Sequence, residues 1–265
     1  MTDTNGPFLV LDRPAPELYL GFTGVDAGNL AYHLADSAPS RERVSHSREQ
    51  LERAMGVRPG STEYVTQVHS TRVVGAGGDE VPAEADAIVS ASGSEPLAIM
   101  VADCLPVVFV SRAVGGHEFS GPTAVAHAGR RGLLDGVLQA TVTRMREDGA
   151  GSGAGDIAAW IGPGICGRCY EVPEQMRDDG AARVPETFST TSWGTPALDL
   201  AAGAQALLET MGVTVRRVPI CTFEDRRLFS HRREPGRGRG VGLVWRTGSG
   251  TGPLPATTST SSASE

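Results

Sequence analysis

Residues 94–110, SEPLAIMVADCLPVVFV, contain two apolar runs of strand length that flank the short segment Ala-Asp-Cys-Leu-Pro. Runs as apolar as these are typical of strands that are buried on both faces. Pro106 has no N–H group to donate to a sheet, so we expect the chain to bulge or bend close to Cys104. The sequence therefore places a thiol beside a carboxylate, Asp103, where two core strands are interrupted.

Two histidines are candidate partners of this thiol. His69 lies in a segment rich in Val and Thr that predicts strands, and His127 lies at the end of another predicted strand. One thiolate and two neutral imidazoles form a ligand set typical of catalytic zinc, with a fourth position open. A single thiolate leaves positive charge on the ion, which acidifies a bound water. The alternative interpretation is two core histidines and an ordinary buried cysteine.

Composition bounds the class of protein. The chain has 265 residues, of which 40% are hydrophobic and 21% charged, as in ordinary globular proteins. Its net charge of -7 argues against a nucleic-acid or anionic-membrane surface, so neither partner is expected. All 24 basic residues are Arg, which excludes a Schiff-base lysine, a pyridoxal-phosphate anchor and a Walker A loop.

Targeting signals and a disulfide framework are also not expected. Four cysteines in a chain of this length do not form a disulfide scaffold. The first 16 residues lack a basic region followed by an apolar core, and no apolar run is long enough to span a bilayer. We therefore expect a cytoplasmic protein with reduced thiols.

The order of predicted elements indicates an α/β fold (α+β mixed) in a single domain, with mixed β-sheets packed between helices in layers. Strands and helices alternate too irregularly for a doubly wound parallel sheet. We expect the domain to span residues 17–246, between a disordered N-terminus, 1–16, and a disordered tail, 247–265, rich in Gly, Ser and Thr. The predicted helices include one over 40–55, capped by Ser40, and one over 133–147.

Three further motifs have simpler interpretations. Cys166-Gly-Arg-Cys169 is half of a zinc knuckle or a redox pair, but no second C-x-x-C or nearby His completes it, which favours two ordinary thiols in a tight loop. The G-x-G-x-x-G pattern at 162–167 is followed by Pro173, which favours a Gly/Pro turn over a dinucleotide site. Arg131 follows His127 at a predicted helix start, where backbone and side chain can hold one anion.

Taken together, these motifs resemble the polyphenol-oxidase "laccase domain" family, better described as zinc-dependent purine nucleoside phosphorylases. Some members are called peptidoglycan editing factors. The resemblance covers about residues 18–246. It rests on motifs that occur in the order of the family: Gln67-Val-His69, Ala85-Asp-Ala87, Ala102-Asp-Cys-Leu-Pro-Val107, His127-Ala-Gly-Arg-Arg-Gly132, Ile161-Gly-Pro-Gly-Ile165, Tyr170-Glu-Val172, Asp199-Leu200, Cys221-Thr222 and Phe229-Ser-His-Arg-Arg233.

The resemblance implies zinc held by His69, Cys104 and His127. It implies phosphorolysis of adenosine, inosine, guanosine and methylthioadenosine, with adenosine deamination as a second activity. It also suggests that Asn29 and Arg48 lie near the substrate. The chain departs from the family pattern at three positions: Arg130 in place of Trp, Ser70 in place of Gly and His231 in place of an aromatic residue. Arg130 changes one wall of the expected pocket, and the metal set is intact.

The laccase name itself does not fit this chain as a copper oxidase. Multicopper oxidases need a blue-copper site and a trinuclear cluster built from several His-x-His pairs. The chain has six histidines, and none forms a His-x-His pair: 33, 46, 69, 117, 127 and 231. Too few imidazoles are present to ligate four coppers.

Three hypotheses of function follow. In the first, a monomeric nucleoside phosphorylase, Arg131, Arg48 and the helix N-terminus bind phosphate and Asp103 orients a metal ligand. In the second, the same zinc or Cys104 hydrolyses an amide in a nucleotide-sugar cell-wall precursor that carries a misincorporated L-serine. In the third, the chain is a non-enzymatic interaction module, and the three candidate ligands point apart.

Overall fold

The computed structural model describes residues 6–78, 82–116 and 118–247. Apart from Thr247, the predicted disordered tail lies outside these residues. The strands are β1 (Phe8–Ala15), β2 (Leu18–Thr23), β3 (Val73–Gly75), β4 (Ala87–Ser90), β5 (Leu97–Val101), β6 (Leu105–Ser111), β7 (Thr123–Ala128), β8 (Ile157–Ile161), β9 (Phe188–Thr190), β10 (Pro196–Leu198), β11 (Thr214–Arg217) and β12 (Gly240–Arg246). The α-helices are α1 (Ala38–Met55), α2 (Arg130–Asp135), α3 (Val137–Glu147), α4 (Glu174–Arg183) and α5 (Leu200–Thr210).

Two sheets form the centre of the molecule, and residues 94–110 connect them. A four-stranded sheet has the order β1-β2-β12-β5, and a six-stranded mixed sheet has the order β11-β8-β6-β7-β4-β3. The two apolar runs are β5 and β6, so the chain changes sheets between them. The predicted bend therefore occurs at Asp103, whose φ of 86° is in the left-handed region. Apolar residues of both sheets, among them Phe22, Val108 and Trp160, share one core.

Helices cover the outer faces of both sheets. Helices α2, α3 and α5 contribute Leu133, Val142 and Leu208 to the core on the six-stranded sheet. Helix α1 packs Leu51 and Met55 on the four-stranded sheet beside Trp245. The helix–sheet–sheet–helix order confirms the predicted α/β fold with mixed sheets packed between helices. None of the helices in the described residues combines the length and apolar character that crossing a membrane requires.

The structure corrects the expectation for the N-terminus. Residues 8–15, predicted to be disordered, form β1, which pairs antiparallel with β2. Phe8 and Leu11 are buried, and the Phe8 ring stacks on Trp245 with ring centroids 5.4 Å apart. The prolines and acids of this segment suggested disorder, but its apolar residues pair with the adjacent strand β2 and complete the edge of the four-stranded sheet.

The predicted helices differ from the observed ones at their ends. The capping residue of α1 is Ser37, and Ser40 completes a capping box with it. The helix predicted over 133–147 is two helices, because Gly136 at φ 105° breaks it and α2 begins earlier, at Arg130. The strands predicted over 62–74 reduce to β3, and isolated bridges at Glu63 and Thr66 hold the rest of the segment.

Candidate functional site

Three distant segments bring His69, Cys104 and His127 together. His69 comes from the loop before β3, Cys104 from the crossing between the sheets and His127 from β7. Their donor atoms lie within 4.8 Å of one another, and the Cys104 Sγ is 3.9 Å from the His69 Nε2. In a tetrahedral zinc site, sulfur and nitrogen ligands are about 3.6 Å apart. The observed donor set therefore fits a zinc-class ion with small adjustments and leaves a fourth position free.

Asp86 organises both histidines from a fully buried position. Its carboxylate accepts the backbone N–H groups of Val68, His69 and Ser70 at 3.2, 3.0 and 2.5 Å. These bonds hold His69 at a φ of 60°, which is uncommon for a residue with a side chain. The His127 Nδ1 donates to Asp86 Oδ1 at 2.8 Å, which leaves Nε2 of that ring for a ligand.

Hydrogen bonding sets the ionisation of this cluster. Burial raises the pKa of Asp86, but hydrogen bonds from His127 and Ser70 outweigh burial and lower it to about 2. Burial also raises the pKa of Cys104, while hydrogen bonds to His127 and His69 lower it to about 6. Burial lowers the pKa of His127, and hydrogen bonds to Asp86 and Cys104 raise it to about 9. Cys104 is thus held as a thiolate beside a protonated His127 at neutral pH. A metal would bind this thiolate and displace the Nε2 proton of His127.

Gly129 leaves room for the cluster. A Cβ atom at this position would lie 2.8 Å from His69 Cδ2 and 3.0 Å from the Cys104 Sγ. The first separation is shorter than real Cβ contacts, and the second is tighter than most of them. Only glycine lets the β7–α2 turn pass this close to the candidate ligands, so the backbone forms part of the cradle around the donors.

The cluster lines a cavity of about 660 Å³ whose lining also includes basic and aromatic side chains. Arg41, Arg48 and Arg239 line it, together with His33. The pKa of His33 is lowered by burial and by Arg239 and Arg48, which keeps its imidazole neutral. The cavity thus brings cationic groups to the same space as the candidate metal ligands.

Arg48 is held in place by two rings and a carbonyl. Its guanidinium carbon lies 3.6 Å from the centroid of the Tyr64 ring and 4.6 Å from that of Tyr32. Its Nε and Nη2 donate to the Leu30 carbonyl at 2.9 and 2.7 Å. Within the described residues its Nη1 has no hydrogen-bond partner, so this arginine lines the cavity in a fixed orientation with one group free for a ligand.

Asn29 does not line the cavity, although a place near the substrate was expected for it. Its side chain donates to the Ala31 carbonyl and accepts the backbone N–H groups of Ala31 and Arg239. It positions the backbone of a cavity arginine, Arg239.

Two further expected residues lie elsewhere. Arg131 is exposed and outside the cavity lining, and its helix α2 has six residues. Asp103 orients neither histidine: its carboxylate accepts from the Thr222 hydroxyl and the Arg232 backbone, each at 2.6 Å. The acid that orients a candidate ligand is Asp86. The sequence analysis included Asp86 in the motif Ala85-Asp-Ala87 but predicted no role for it. The feature that could have indicated a role is a carboxylate between two alanines in a buried segment, since a buried charge needs partners.

A second cluster of metal-binding side chains lies outside this cavity. The donor atoms of Cys166, Cys169, Cys221 and Glu224 lie within 4.8 Å of one another. The sequence predicted two ordinary thiols at Cys166 and Cys169, because the partners that complete the set are more than fifty residues away. The spacing Cys221-x-x-Glu224 was the signal that could have found them.

Known proteins with similar sequences and structures support the observed fold. A family model described as multi-copper polyphenol oxidoreductase laccase matches residues 22–247. The crystal structure of a Neisseria meningitidis protein of the DUF152 family has a TM-score of 0.76 and 32% sequence identity, and the match covers 92% of this chain and 100% of that one. The YlmD structure from Geobacillus stearothermophilus has a TM-score of 0.75 at 26% identity, and the match covers 89% of this chain and 94% of that one.

Relatives with an assigned activity are also similar along most of the chain. A Streptomyces coelicolor protein named purine nucleoside phosphorylase is 43% identical over 206 residues, which cover 76% of this chain and 82% of the relative. A Corynebacterium glutamicum protein of the same name is 36% identical over 224 residues, which cover 82% and 86%. The resemblance found in the sequence is confirmed: the chain belongs to the family described as multi-copper polyphenol oxidoreductase laccase.

Proposed function

We propose that this protein is a zinc-dependent purine nucleoside phosphorylase. Its substrates are adenosine, inosine, guanosine and methylthioadenosine, and adenosine deamination is a second activity. The observation that carries the proposal is the convergence of one thiol and two imidazoles on the wall of a cavity of about 660 Å³ that three arginines also line. Cavities of roughly 300–1,000 Å³ are typical of small-molecule sites.

Zinc is the proposed metal because of the donor set. A thiolate with two imidazoles is a common catalytic zinc site with an open position, and the six histidines of the chain are too few for a multicopper cluster. Bound zinc supplies a Lewis acid for the purine edge, or for a water that attacks C6 in deamination. Asp86 keeps His127 in the tautomer that presents Nε2 and holds His69 in its strained backbone conformation.

The arginines provide the phosphate site in this proposal. Arg41, Arg48 and Arg239 bring positive charge to the cavity that the candidate metal ligands also line. Since Arg131 lies outside this lining, the phosphate role expected for it passes to Arg41 and Arg239. Neutral His33 offers one nitrogen as donor and one as acceptor, which suits a ribose hydroxyl.

The reaction needs little covalent chemistry from the protein. A phosphate oxygen forms a bond to C1′ of the ribose while the bond from C1′ to the purine nitrogen breaks, and its electron pair leaves with the purine. Fixed arginines hold phosphate at C1′ and reduce the entropy cost of bringing two reactants together. The clamp of Tyr32, Tyr64 and the Leu30 carbonyl keeps Arg48 ready for this role.

The test is conversion of inosine and phosphate to hypoxanthine and ribose 1-phosphate by the purified zinc-loaded protein. We expect turnover in the wild type, its loss in His69→Ala, and wild-type rates in His46→Ala, since His46 is an exposed histidine of α1. No hypoxanthine from the wild type, or equal rates in both variants, would contradict the proposal. Release of L-serine from the cell-wall precursor by a wild type inert on nucleosides would support the amidase hypothesis instead.

A second experiment tests the phosphate site. Arg48→Ala is expected to raise the KM for phosphate by roughly 10- to 100-fold, because a charged hydrogen-bond donor is worth about 1.5–3 kcal/mol. Arg43→Ala is the matched control, since Arg43 is an exposed arginine on the same helix. An unchanged KM for phosphate in Arg48→Ala would remove this arginine from the site.

A further inference from the structure

The second cluster, Cys166, Cys169, Cys221 and Glu224, comes from two loops that leave the same edge of the six-stranded sheet. Strands β8 and β11 are parallel neighbours, so their carboxyl ends lie side by side. Cys166 and Cys169 follow β8, and Cys221 and Glu224 follow β11. Each loop supplies a pair of donors with two residues between them, which is the spacing of a zinc knuckle.

Local backbone structure turns both pairs inward. The Cys169 N–H donates to the Cys166 carbonyl, and the Asp225 N–H donates to the Cys221 carbonyl, each at 2.9 Å. A parallel bridge joins Gly164 to Cys221 and fixes one loop against the other. The Cys166 backbone N–H also points at the Cys221 Sγ at 3.4 Å.

We propose that Cys166, Cys169, Cys221 and Glu224 bind one zinc-class divalent cation in a closed tetrahedral site, separate from the cluster in the cavity. Three sulfur donors select zinc over magnesium or calcium, and four protein ligands leave no position for substrate. The site therefore has a structural role. Tetrahedral zinc places sulfur ligands about 3.8 Å apart, so donors that now lie within 4.8 Å need only a small contraction.

Charge and access also suit a cation. Three thiolates and one carboxylate carry the same total charge as the four thiolates of common structural zinc sites. The cluster borders a small cavity of about 300 Å³, which gives the ion a path of entry. Arg168 and Arg217 also line this cavity. Glu224 is exposed, and the buried Cys169 and Cys221 lie deeper.

The proposed ion would also support the first cluster. The Thr222 hydroxyl, next to Cys221, donates to Asp103 Oδ1 at 2.6 Å, and Asp103 precedes Cys104. The Ile165 N–H donates to the Asp103 carbonyl at 2.9 Å. A cation that joins the two loops would thus fix the residue that turns the chain into Cys104.

Zinc stoichiometry tests the proposal. After zinc loading and desalting under reducing conditions, mass spectrometry of the metal should find two zinc ions per chain in the wild type and one in Cys104→Ala. None is expected in the double variant Cys104→Ala with Cys166→Ser. Absence of zinc from a folded Cys104→Ala protein, or equal zinc in the double variant, would overturn the proposal. So would a disulfide between Cys166 and Cys169 in zinc-loaded protein.

Cobalt spectroscopy of the Cys104→Ala protein provides a readout that misfolding does not imitate. Cobalt bound by three thiolates should give intense sulfur-to-metal absorption together with the visible bands of a tetrahedral ion. Glu224→Gln in this background should weaken cobalt binding by at least about 10-fold and shift those bands, because a ligand has changed. Glu186→Gln, at an exposed glutamate outside the cluster, should change neither. Identical spectra and affinities for the two variants would remove Glu224 from the site.

Discussion

The two clusters are built in opposite ways. The cavity cluster has three donors, faces a large cavity, and draws its geometry from Asp86, which is not a candidate ligand. The loop cluster has four donors, which two turns supply. Hydrogen bonds lower the pKa of Cys104 to about 6, whereas burial and the neighbouring thiols raise the pKa of Cys169. An incomplete, preorganised set suits chemistry, and a complete set suits stability.

The largest expected difference between the clusters is in catalysis. Cys104→Ala should lower kcat/KM for inosine phosphorolysis by about 10³-fold or more, since a Lewis acid supplies several kcal/mol to the transition state. Circular dichroism should still report a folded protein, because the surrounding strands are packed independently of this thiol. Retention of more than a tenth of the wild-type kcat/KM would show that the cavity cluster does not perform the chemistry.

The loop cluster should instead determine stability. A site held at a free zinc concentration about a thousand times its Kd stabilises the fold by about 4 kcal/mol. Cys169→Ser should therefore lower Tm by roughly 8–16 °C in zinc. The clusters share no donor and are linked through the hydrogen bonds of Asp103 with Thr222 and Ile165, so kcat/KM at 25 °C should fall by no more than roughly two- to threefold.

Chelation is the control for this measurement. With zinc removed from both proteins, the difference in Tm between wild type and Cys169→Ser should shrink to the small cost of a buried hydroxyl. A difference that persists undiminished without zinc would mean that Cys169 stabilises the fold by packing alone. The structural metal site proposed for the loop cluster would then be wrong.

The sequence predicted the cavity cluster well because its ligands lie in or beside buried strands. An apolar strand that carries a His or a Cys is conspicuous, and the family motifs named the same three residues. Asp86 was harder to assign, since its role depends on a loop with His69 in the left-handed conformation. The loop cluster was missed because two parallel strands bring Cys166 and Cys221 together, and strand order is not visible in local patterns.

The proposed phosphate site was also hard to predict from local sequence patterns. Arg131 was attractive because it follows His127 in the sequence, yet the short helix α2 carries it to the surface. Arg239 reaches the cavity from the start of β12 through a hydrogen bond to Asn29, a contact across most of the chain. Sequence proximity to a ligand was a poor guide to which arginines share its cavity.

The next prediction tests whether Asp86 supports the candidate ligands of the cavity cluster. Asp86→Asn should weaken zinc binding there by roughly 10- to 100-fold, because the amide keeps one acceptor but turns an NH2 group toward donors. Competition with a chromophoric chelator measures this, in a Cys166→Ser background that removes the loop cluster. Asp26→Asn, an exposed acid, is the matched control and should leave affinity unchanged. Equal affinities would mean that the histidines need no support from Asp86.

Two glycines allow each cluster to be disturbed alone. A Cβ at Gly129 would lie 3.0 Å from the Cys104 Sγ, and a Cβ at Gly167 would lie 2.8 Å from the Ser189 Oγ beside the loop cluster. Overpacking typically costs about 1–3 kcal/mol. Gly129→Ala should therefore weaken zinc at the cavity cluster, and Gly167→Ala should lower Tm in zinc by roughly 2–12 °C. Phosphorolysis that falls more in Gly167→Ala than in Gly129→Ala would reverse the assignment of the two clusters.

The smallest expected effect concerns Arg131. Its side chain is exposed and outside the cavity lining, so Arg131→Ala should change kcat/KM and the KM for phosphate by less than about twofold, as for a surface substitution within 0.5 kcal/mol. Steady-state kinetics at several phosphate concentrations, beside Arg48→Ala, provide the measurement. A KM for phosphate that rises as much in Arg131→Ala as in Arg48→Ala would place the anion at α2. The phosphate site would then lie next to His127, and its assignment to Arg41, Arg48 and Arg239 would have to be abandoned.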